Sequence, residues 1–282
     1  MAALARRSER GYRSAISALA PDRVPDDLET TVGLFRKTPK PAPAPSGPPR
    51  TRAYAIGDVH GQIDLLRDLL DQIDADSQAR PCEREFVIFL GDLIDRGPDS
   101  RGVLQLLQEI RPNLPNPIFL MGNHEEMLLR VLGDDPERIW DWMSFGGYEF
   151  AQSYGVEVGR LATLSAKAAA AEIRAAMPPA DVAFVESFVD SFRFGDYLFV
   201  HAGVRPGIPL EQQKIADLRW IREDFLESTA THPFMIVHGH TISDGPDERP
   251  NRIGIDTGAY ATGVLTALCL EGSDRKFLTA VR

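Results

Sequence analysis

The chain has 282 residues, of which 43% are hydrophobic and 26% are charged, ordinary values for a globular protein that exclude a fibrous repeat and wholesale disorder. Its 41 acidic and 31 basic side chains give a net charge of −10, which disfavours nucleic acid and anionic membranes as partners. No apolar run approaches the ~20 residues that span a bilayer, the N-terminus lacks the apolar core of a secretory signal, and two cysteines make no disulfide framework, so we expect a cytoplasmic protein.

The first part of the chain differs from the rest in charge and in proline content. Residues 1–50 hold nine basic and five acidic side chains, and residues 38–50 (TPKPAPAPSGPPR) are dominated by proline. Proline-rich stretches favour extended conformers and serve as linkers. We therefore predict a flexible N-terminal extension over residues 1–50 and one catalytic domain over residues 51–282. The proline-rich run PKPAPAP would suit docking to an unknown protein, although a passive tail is the simpler interpretation.

From residue 51 onward, short apolar runs alternate with helical patterns, which predicts an α/β domain. In Ile63–Ile73 the apolar residues recur at intervals of three and four, the spacing of one helix face. The predicted strands are Ala53–Ile56, Phe86–Leu90, Pro117–Met121, Tyr197–Val200, Phe234–Val237, Arg252–Ile255 and Val264–Leu270.

The stretch over about residues 133–190 has a different composition from the alternating pattern around it. It contains the alanine-rich run LATLSAKAAAAEIRAAM, followed by a pair of prolines. Helix formers at helical spacing predict a helical insert. We interpret its leucine and alanine residues as packing positions.

Polar residues follow five of the predicted strands almost at once. AYAI leads into GDVHG, FVIFL into GDLIDRG, IFLM into GNHE, YLFV into HAGV, and FMIV into HGHT. Ligands of open α/β sheets bind beyond the carboxyl ends of the strands, so these loops could converge on one site. Of the six histidines, five lie at such strand ends: His60, His124, His201, His238 and His240.

The residue types at these strand ends form a coherent set of metal ligands. They offer carboxylate, imidazole and amide groups without thiolate, a set that suits Mn²⁺, Fe or Zn²⁺ rather than a cysteine-type structural zinc. There are too many ligands for one ion. Two metals about 3.5–4 Å apart, bridged by one carboxylate, account for them.

GDVHG, GDLIDRG and GNHE, in this order, resemble the motifs of the calcineurin-like metallophosphoesterases. The form GDLIDRG and the later HAG and GHT are more similar to the phosphoprotein phosphatase branch, which includes bacterial Ser/Thr phosphatases and the phage lambda phosphatase. SFGGYEFAQSYG, DLRWIREDF and NRIGIDTGAYATG extend the resemblance over about residues 52–268. It implies a four-layer sandwich of two mixed β-sheets flanked by helices, with a helical insert.

The resemblance also implies which residues hold the metals. By the family pattern, the first ion is held by Asp58 and His60, the bridge is Asp92, and the second ion is held by Asn123, His201 and His240. Two further residues stay open. His238 is either a neighbour of the ligands or an ordinary strand end, and Tyr260 either lines the phosphate pocket or is structural.

The mechanism implied is direct attack on phosphorus by a hydroxide that bridges the metals, without a phosphoenzyme. Arg96 and, by resemblance, Arg222 would clamp the phosphate. His124 would protonate the leaving group, and Asp95 is similar to the family aspartate that orients this histidine.

Our function hypothesis is therefore a two-metal phosphomonoesterase that acts on phosphoproteins at serine or threonine, with phosphotyrosine not distinguished from them. The alternative is a diadenosine tetraphosphate hydrolase, which shares most of the motifs. Its adenine would need an aromatic partner, for which Trp140, Trp142 and Trp220 are the candidates if they are not core residues. A noncatalytic binding module would lack one or more ligands, and none is missing.

The run Cys269–Arg275 (CLEGSDR) formally matches the C-x₅-R loop of cysteine phosphatases. That chemistry needs a thiolate in a nest of amides at a helix N-terminus. Here two acidic residues would repel a phosphate, and the cysteine lies within the apolar run VLTALCL. We interpret the match as accidental and Cys269 as a core residue.

Overall fold

The structure, a computed structural model, describes residues 44–282. These residues form an α/β fold with two five-stranded sheets. In chain order the strands are β1 (Thr51–Ile56), β2 (Arg84–Phe89), β3 (Pro117–Phe119), β4 (Ser191–Phe194), β5 (Tyr197–Val200), β6 (Met235–His238), β7 (Asp247–Glu248), β8 (Arg252–Gly254), β9 (Val264–Glu271) and β10 (Asp274–Val281).

Helices connect the strands and cover the sheets. They are α1 (Ile63–Ala79), α2 (Ser100–Ile110), α3 (Asn123–Leu132), α4 (Ile139–Trp142), α5 (Tyr148–Ser153), α6 (Val158–Leu161), α7 (Ala166–Ala176), α8 (Pro179–Glu186), α9 (Ile215–Trp220), α10 (Glu223–Leu226) and α11 (Ala259–Thr262). Two 3₁₀ turns cover Pro136–Arg138 and Leu210–Gln212, and a π turn covers Met143–Gly147.

Both sheets are mixed. The first has the order β10-β9-β1-β2-β3, with β1, β2 and β3 parallel, and the second has the order β4-β5-β6-β8-β7, with β5, β6 and β8 parallel. All seven predicted strands are present, with ends that differ by up to two residues. The sequence pattern missed β4, β7 and β10, because β4 and β7 are short and β10 is largely exposed.

The two sheets pack face to face, and helices cover their outer faces. Alternation within β1 shows how the sequence builds these layers, because successive side chains point to opposite faces. Ala53 and Ala55 join the core between the sheets, whereas Tyr54 and Ile56 join the core beneath α1 and α2. A third core lies between the second sheet and α9 and α10. The four-layer architecture expected from the sequence is confirmed.

The stretch predicted as a helical insert contains five helices and two helical turns between Pro136 and Glu186. Its largest buried side chain is Trp142, which is fully excluded from solvent together with Phe150 and Ile173. The insert packs on α2 and α3 and therefore borders the loops that precede these helices.

Residues 44–50 lie within the segment predicted as a linker, yet they contact the catalytic part of the chain. The Ser46 backbone N–H donates to the carboxylate of Asp196 at 3.0 Å, and the buried Gly47 donates to the carbonyl of Gly272 at 2.8 Å. This short stretch is thus not a free connector. The extension predicted over residues 1–50, with its candidate docking run, otherwise lies outside the described residues and stays a prediction.

Cys269 lies inside β9 and is only 2% exposed, and Arg275 lies on β10 across a hairpin. The C-x₅-R match is therefore part of a β-ribbon, and the interpretation of Cys269 as a core residue is confirmed. Within residues 44–282, no helix combines the length and the apolar character needed to cross a membrane.

Candidate metal centre

The candidate ligands converge because each follows a parallel strand at its carboxyl end. β1 leads to Asp58 and His60, and β2 leads to Asp92. The first residue of α3, after β3, is Asn123, and β5 and β6 lead to the last two ligands, His201 and His240. All six side chains are buried, and none is more than 8% exposed.

Three of these residues adopt left-handed backbone conformations that are unfavourable for side chains other than glycine. The φ angles are 45° at His60, 48° at Asp92 and 66° at His240. Such strain concentrates at functional sites, where the surrounding structure holds it in place. Gly91 has φ 98°, and a Cβ there would lie 2.9 Å from the His201 ring.

Two groups of potential ligand atoms share Asp92. The first joins His60, Asp92 and His124, and the second joins Asp92, His201 and His240; within each group, the atoms lie within 4.8 Å of one another. Asp92 therefore lies within reach of both groups, and its predicted role as the bridge stays a prediction. His124, predicted as an acid rather than a ligand, lies in the first group, whereas Asp58 lies in neither.

Asp58 nevertheless lies at the same site. Both of its carboxylate oxygens accept the backbone N–H of His240, at 3.0 and 3.2 Å. Burial, and then the nearby carboxylate of Asp256, raises the pKa of Asp58 well above its usual range. Its predicted role as a ligand of the first ion stays a prediction.

Carbonyl groups of the loop after β2 set the tautomers of two histidines. Nδ1 of His60 lies 2.8 Å from the carbonyl of Ile94, and Nδ1 of His201 lies 2.8 Å from the carbonyl of Leu90. A carbonyl only accepts, so each Nδ1 carries a proton, and in the neutral ring each Nε2 keeps a lone pair that can bind a metal ion. Histidine ligands of metals are commonly fixed in this way. The same loop that carries Asp92 thus prepares two imidazoles as ligands.

The second group places acceptor atoms unusually close together. Nε2 of His201 lies 3.0 Å from the Asn123 side-chain oxygen, 3.2 Å from Nδ1 of His240 and 3.4 Å from the Asp92 carboxylate. Nε2 of His240 is buried with no hydrogen-bond partner among residues 44–282. Converging acceptors of this kind are stabilised by a cation, and the carboxylate, imidazole and amide donors fit a hard or borderline divalent metal.

The pKa shifts indicate the same need for positive charge. Burial would lower the pKa of His201, but the charge of Asp92 outweighs it and raises the pKa to about 10. Burial and the neighbouring charge of His201 lower the pKa of His240 to about 2. The proton on His201 therefore compensates the negative charge of Asp92, and a metal ion could take the place of that proton.

His124 and Asp95 form a buried pair beside the ligands. Nδ1 of His124 lies 2.6 Å from Oδ2 of Asp95, and the same oxygen accepts the indole N–H of Trp142 at 2.8 Å. Burial would lower the pKa of His124, but the charge of Asp92 and the hydrogen bond to Asp95 raise it. The structure thus brings together the two residues predicted as acid and orienting carboxylate. Trp142, named in the sequence only as a stacking candidate or core residue, is the third member of this arrangement.

The guanidinium of Arg96 lies at the mouth of the site. Its Nη1 is 3.2 Å from Nε2 of His60, and the centre of the guanidinium lies 4.8 Å from the centre of the Tyr260 ring. The Tyr260 ring in turn lies 5.2 Å from the His60 ring. The structure therefore places Tyr260 beside the first group of ligands. This position fits a residue that lines the phosphate pocket.

Arg222 lies beside the loop that carries His240, where its Nη1 donates to the Thr241 hydroxyl at 3.4 Å. Among the described residues it pairs with neither Glu223 nor Asp224, the partners a surface salt bridge would have used; Asp224 pairs with Arg205 instead. Arg222 shares a cavity of about 250 Å³ with Arg96, Asn123, His124, Met127, Trp142, Phe145 and Trp220.

His238 belongs to neither group of ligands. It ends β6, its ring packs 5.1 Å from that of Phe225, and its Nδ1 lies 3.0 Å from the carbonyl of Gly239. Burial lowers the pKa of His238 to about 4, so the ring is neutral at physiological pH. The structure therefore favours the interpretation of His238 as a strand-end residue beside the site.

Glu125 is a buried residue of the site that the sequence analysis did not single out. Its carboxylate accepts the backbone N–H of Asp92 at 2.9 Å, of Leu93 at 2.7 Å and of Gly122 at 3.0 Å. It thereby joins the loop after β2 to the start of α3. The motif GNHE ends in this residue, but only the fold shows which amides it contacts.

Comparisons with known proteins agree with the geometry. Residues 51–262 match the model of the calcineurin-like phosphoesterase family. A symmetrical bis(5'-nucleosyl)-tetraphosphatase of Janthinobacterium sp. (strain Marseille) is 28% identical over 263 residues, covering 77% of this chain and 92% of the relative. Serine/threonine-protein phosphatase 2 of Salmonella typhimurium (strain LT2) is 27% identical over 225 residues, covering 76% and 90%.

A crystal structure assigned provisionally as a diadenosine tetraphosphatase has the same fold. It aligns with a TM-score of 0.57 at 19% identity and covers 84% of this chain and 99% of its own. At this identity the likeness concerns the fold alone. The relatives therefore include two substrate classes within one architecture.

Proposed function

Since the chain belongs to the calcineurin-like phosphoesterase family and is therefore a metal-dependent phosphoesterase, we propose that its substrates are phosphoserine and phosphothreonine side chains of proteins. The Salmonella relative, a serine/threonine-protein phosphatase, supports this substrate class. The metal ions proposed are two divalent cations, with Mn²⁺ as the first choice and Fe or Zn²⁺ as alternatives.

The observation that carries the proposal is the buried pair of His124 and Asp95. Serine and threonine leave as alkoxides, which are poor leaving groups and need a proton in the transition state. A nucleotide anhydride releases a stable phosphate and needs that proton much less. An enclosed imidazole held by a carboxylate at 2.6 Å is the kind of group that a poor leaving group requires.

The other residues have roles that follow from their positions. Divalent ions held by Asp58, His60, Asp92, Asn123, His201 and His240 would supply Lewis-acid activation of water and of the phosphoryl group when bound. Arg96 and Arg222, which line the same cavity, would bind the phosphate oxygens and stabilise the charge that develops on them. His124 would donate the proton to the leaving oxygen.

A second candidate, hydrolysis of diadenosine tetraphosphate, is favoured by the aromatic lining of the cavity. Phe145 and Trp220 are 57% and 37% exposed and line it together with Met127. Exposed aromatic rings beside a phosphate site could stack on adenine. The Janthinobacterium relative supports this substrate by its name.

A side-by-side turnover assay with Mn²⁺ tests the two candidates. The substrates are phosphoserine, phosphothreonine and phosphotyrosine peptides and diadenosine tetraphosphate. We expect kcat/KM to be higher for the phosphoserine and phosphothreonine peptides than for the dinucleotide. A clear preference for the dinucleotide would overturn the proposal, and a preference for phosphotyrosine would correct the substrate class.

Replacing the proposed acid should slow the reaction according to the leaving group. For His124→Asn we expect kcat/KM to fall by about 10²–10⁴-fold on phosphoserine peptides, the usual contribution of a general acid, and much less on p-nitrophenyl phosphate. His232→Asn is the matched control, because His232 lies outside both ligand groups. Equal losses on both substrates would contradict the assignment.

A further inference from the structure

Asp95 and Arg96 occupy a strained turn that cannot hold its conformation alone. Their φ angles are 70° and 64°, so two consecutive side-chain-bearing residues are left-handed. Each such residue costs free energy and persists only where its surroundings hold it. The question is therefore which part of the chain holds this turn.

Besides the bond from the Asp95 backbone N–H to the Ser100 hydroxyl at 2.9 Å, the contacts come from the helical insert. The indole Nε1 of Trp142 donates to Oδ2 of Asp95 at 2.8 Å. The Arg96 backbone N–H donates to the carbonyl of Gly146 at 3.1 Å, and the Arg96 Nε donates to the carbonyl of Phe145 at 3.3 Å. One side-chain contact and two backbone contacts thus reach both residues of the turn from the single stretch 142–146.

Trp142 has a particular influence on the Asp95 carboxylate. Oδ2 accepts both His124 Nδ1 and Trp142 Nε1, whereas Oδ1 is buried and has no hydrogen-bond partner among residues 44–282. Without the indole, only His124 would hold the Asp95 carboxylate. Rotation of the carboxylate could then bring either of its oxygens to His124. Trp142 therefore selects the oxygen that His124 meets.

The position of Gly146 shows that the insert and the turn fit closely. Gly146 has φ 113°, and a Cβ on it would lie 2.5 Å from the Arg96 backbone nitrogen and 2.6 Å from its Cγ. Only glycine permits both this backbone conformation and this approach. The π turn Met143–Gly147 thus brings its carbonyls against the loop.

We propose that Trp142 and the π turn Met143–Gly147 form a positioning device for Asp95 and Arg96, with Trp142 fixing the carboxylate that orients the leaving-group acid. In this role the insert does more than cover the core. Trp142 is a positioning residue, because it acts on His124 through Asp95. The proposal rests on the proposed function insofar as that function assigns proton donation to His124.

The test compares Trp142→Phe with Trp140→Phe. Both residues lie on α4, but Trp140 is 36% exposed and does not line the cavity around His124. Phenylalanine keeps an aromatic ring in the core and removes the N–H donor. We expect Trp142→Phe to lower kcat/KM by about 10-fold or more on phenyl phosphate, since hydrogen bonds to charged groups are the strong ones.

The readout that separates positioning from plain stability is the dependence on leaving group. A series of aryl phosphates should show a steeper loss of rate with rising leaving-group pKa in Trp142→Phe than in wild type, while Trp140→Phe matches wild type. A second readout needs no turnover. In the metal-free protein, the downfield proton resonance of the His124 Nδ1–H should shift or broaden in Trp142→Phe only.

A uniform loss of rate across the series, or an unchanged His124 resonance, would overturn the proposal. If Trp142→Phe does not fold, Gly146→Ala tests the same device from the backbone side, and it should raise the KM for the phosphate esters through Arg96; an unchanged KM would count against the proposal. An equal loss of rate across the same series in His124→Asn would instead refute the assignment of His124 as the acid, so the two failures are distinguishable.

Discussion

The two ends of the first sheet both bury charged side chains, but only one of them looks like a site. At the amino end of β1, Arg52 is 1% exposed, and at the carboxyl end Asp58 and Asp92 are each 2% exposed. Burial of charge is costly at both ends unless partners compensate it. The difference lies in whether those partners belong to the chain.

At the amino end, every charge meets an opposite charge. Arg52 donates to Glu271 at 2.8 and 3.0 Å and to Glu85 at 2.8 Å. Arg80 also pairs with Glu271, and Asp76 accepts from Tyr54. This network is complete within the protein, so it needs no ligand.

At the carboxyl end, acceptors face one another. Asp92 lies between two groups of imidazoles, and Nδ1 of His240 faces Nε2 of His201 at 3.2 Å. Buried charge by itself therefore does not identify a functional site. Converging carboxylate, imidazole and amide groups do, because their arrangement fits the ligand set of a metal ion.

The largest effect that would test this contrast is expected from Asp92→Asn. It removes the carboxylate common to both ligand groups, so we expect metal-dependent turnover to fall well beyond the roughly 100-fold that loss of an outer partner of a ligand costs. Mn²⁺ binding measured by calorimetry should weaken in parallel. The metal-free variant should stay folded.

Asp68→Asn is the control, because Asp68 is exposed on α1. It should leave both metal binding and turnover unchanged. An Asp92→Asn enzyme with full activity would contradict the proposal of two metal ions bridged by Asp92.

The sequence allowed the convergence of these candidate ligands to be predicted, because each of them lies beside the end of an apolar strand run. Asp58, His60, Asp92, Asn123, His201 and His240 each follow an apolar strand run directly, and parallel strands bring their carboxyl ends together. The seven strands were predictable for the same reason, since burial leaves a visible apolar pattern. The exposed strand β10 leaves none.

The residues that hold the ligands in place could not be predicted in this way. In the sequence, Trp142 looks like a core tryptophan. The backbone carbonyls of Leu90 and Ile94 are present whatever the side chain, so the sequence does not reveal that they accept from His201 and His60. Their roles depend on contacts between elements distant in the chain. The same holds for the network around Arg52, which joins strands 219 residues apart.

An intermediate effect, on stability rather than activity, is expected from Arg52→Met at the amino end. It leaves Glu85, whose side chain is 12% exposed, without its cation, whereas the more exposed Glu271 keeps Arg80. Leaving a mostly buried group without its partner costs about 1–3 kcal/mol. Chemical denaturation should show this loss in the free energy of unfolding. Mn²⁺ affinity and kcat of the folded fraction should stay at wild-type values.

Arg67→Met provides the comparison, because the Arg67 side chain is 57% exposed and contacts only Asp64 at 3.8 Å. Its unfolding free energy should stay within about 0.5 kcal/mol of wild type. If Arg52→Met weakened metal binding as strongly as Asp92→Asn, the division between a structural end and a functional end would not hold.

The smallest effect is expected from Glu125→Gln, which touches no ligand atom directly. Glutamine has the same shape as glutamate but one acceptor oxygen in place of two. It therefore cannot accept all three backbone N–H groups that bind Glu125. Its NH₂ group would also face at least one of these N–H groups, donor against donor. The Asp92 loop would then lose part of its attachment to α3. We expect Mn²⁺ affinity to fall about 10–100-fold, the usual cost of losing an outer hydrogen-bond partner of a metal ligand.

Glu126→Gln on the same helix separates this effect from a general change in charge. Glu126 is partly exposed and pairs with Arg219 at 3.3 Å rather than with the Asp92 loop. It should retain wild-type Mn²⁺ affinity. If both variants bound Mn²⁺ equally well, Glu125 would belong with Arg52 among the structural charges. A selective loss in Glu125→Gln would instead show that one buried, fully hydrogen-bonded carboxylate at the carboxyl end serves the metal site, because its partners are the amides that aim Asp92 and Asn123.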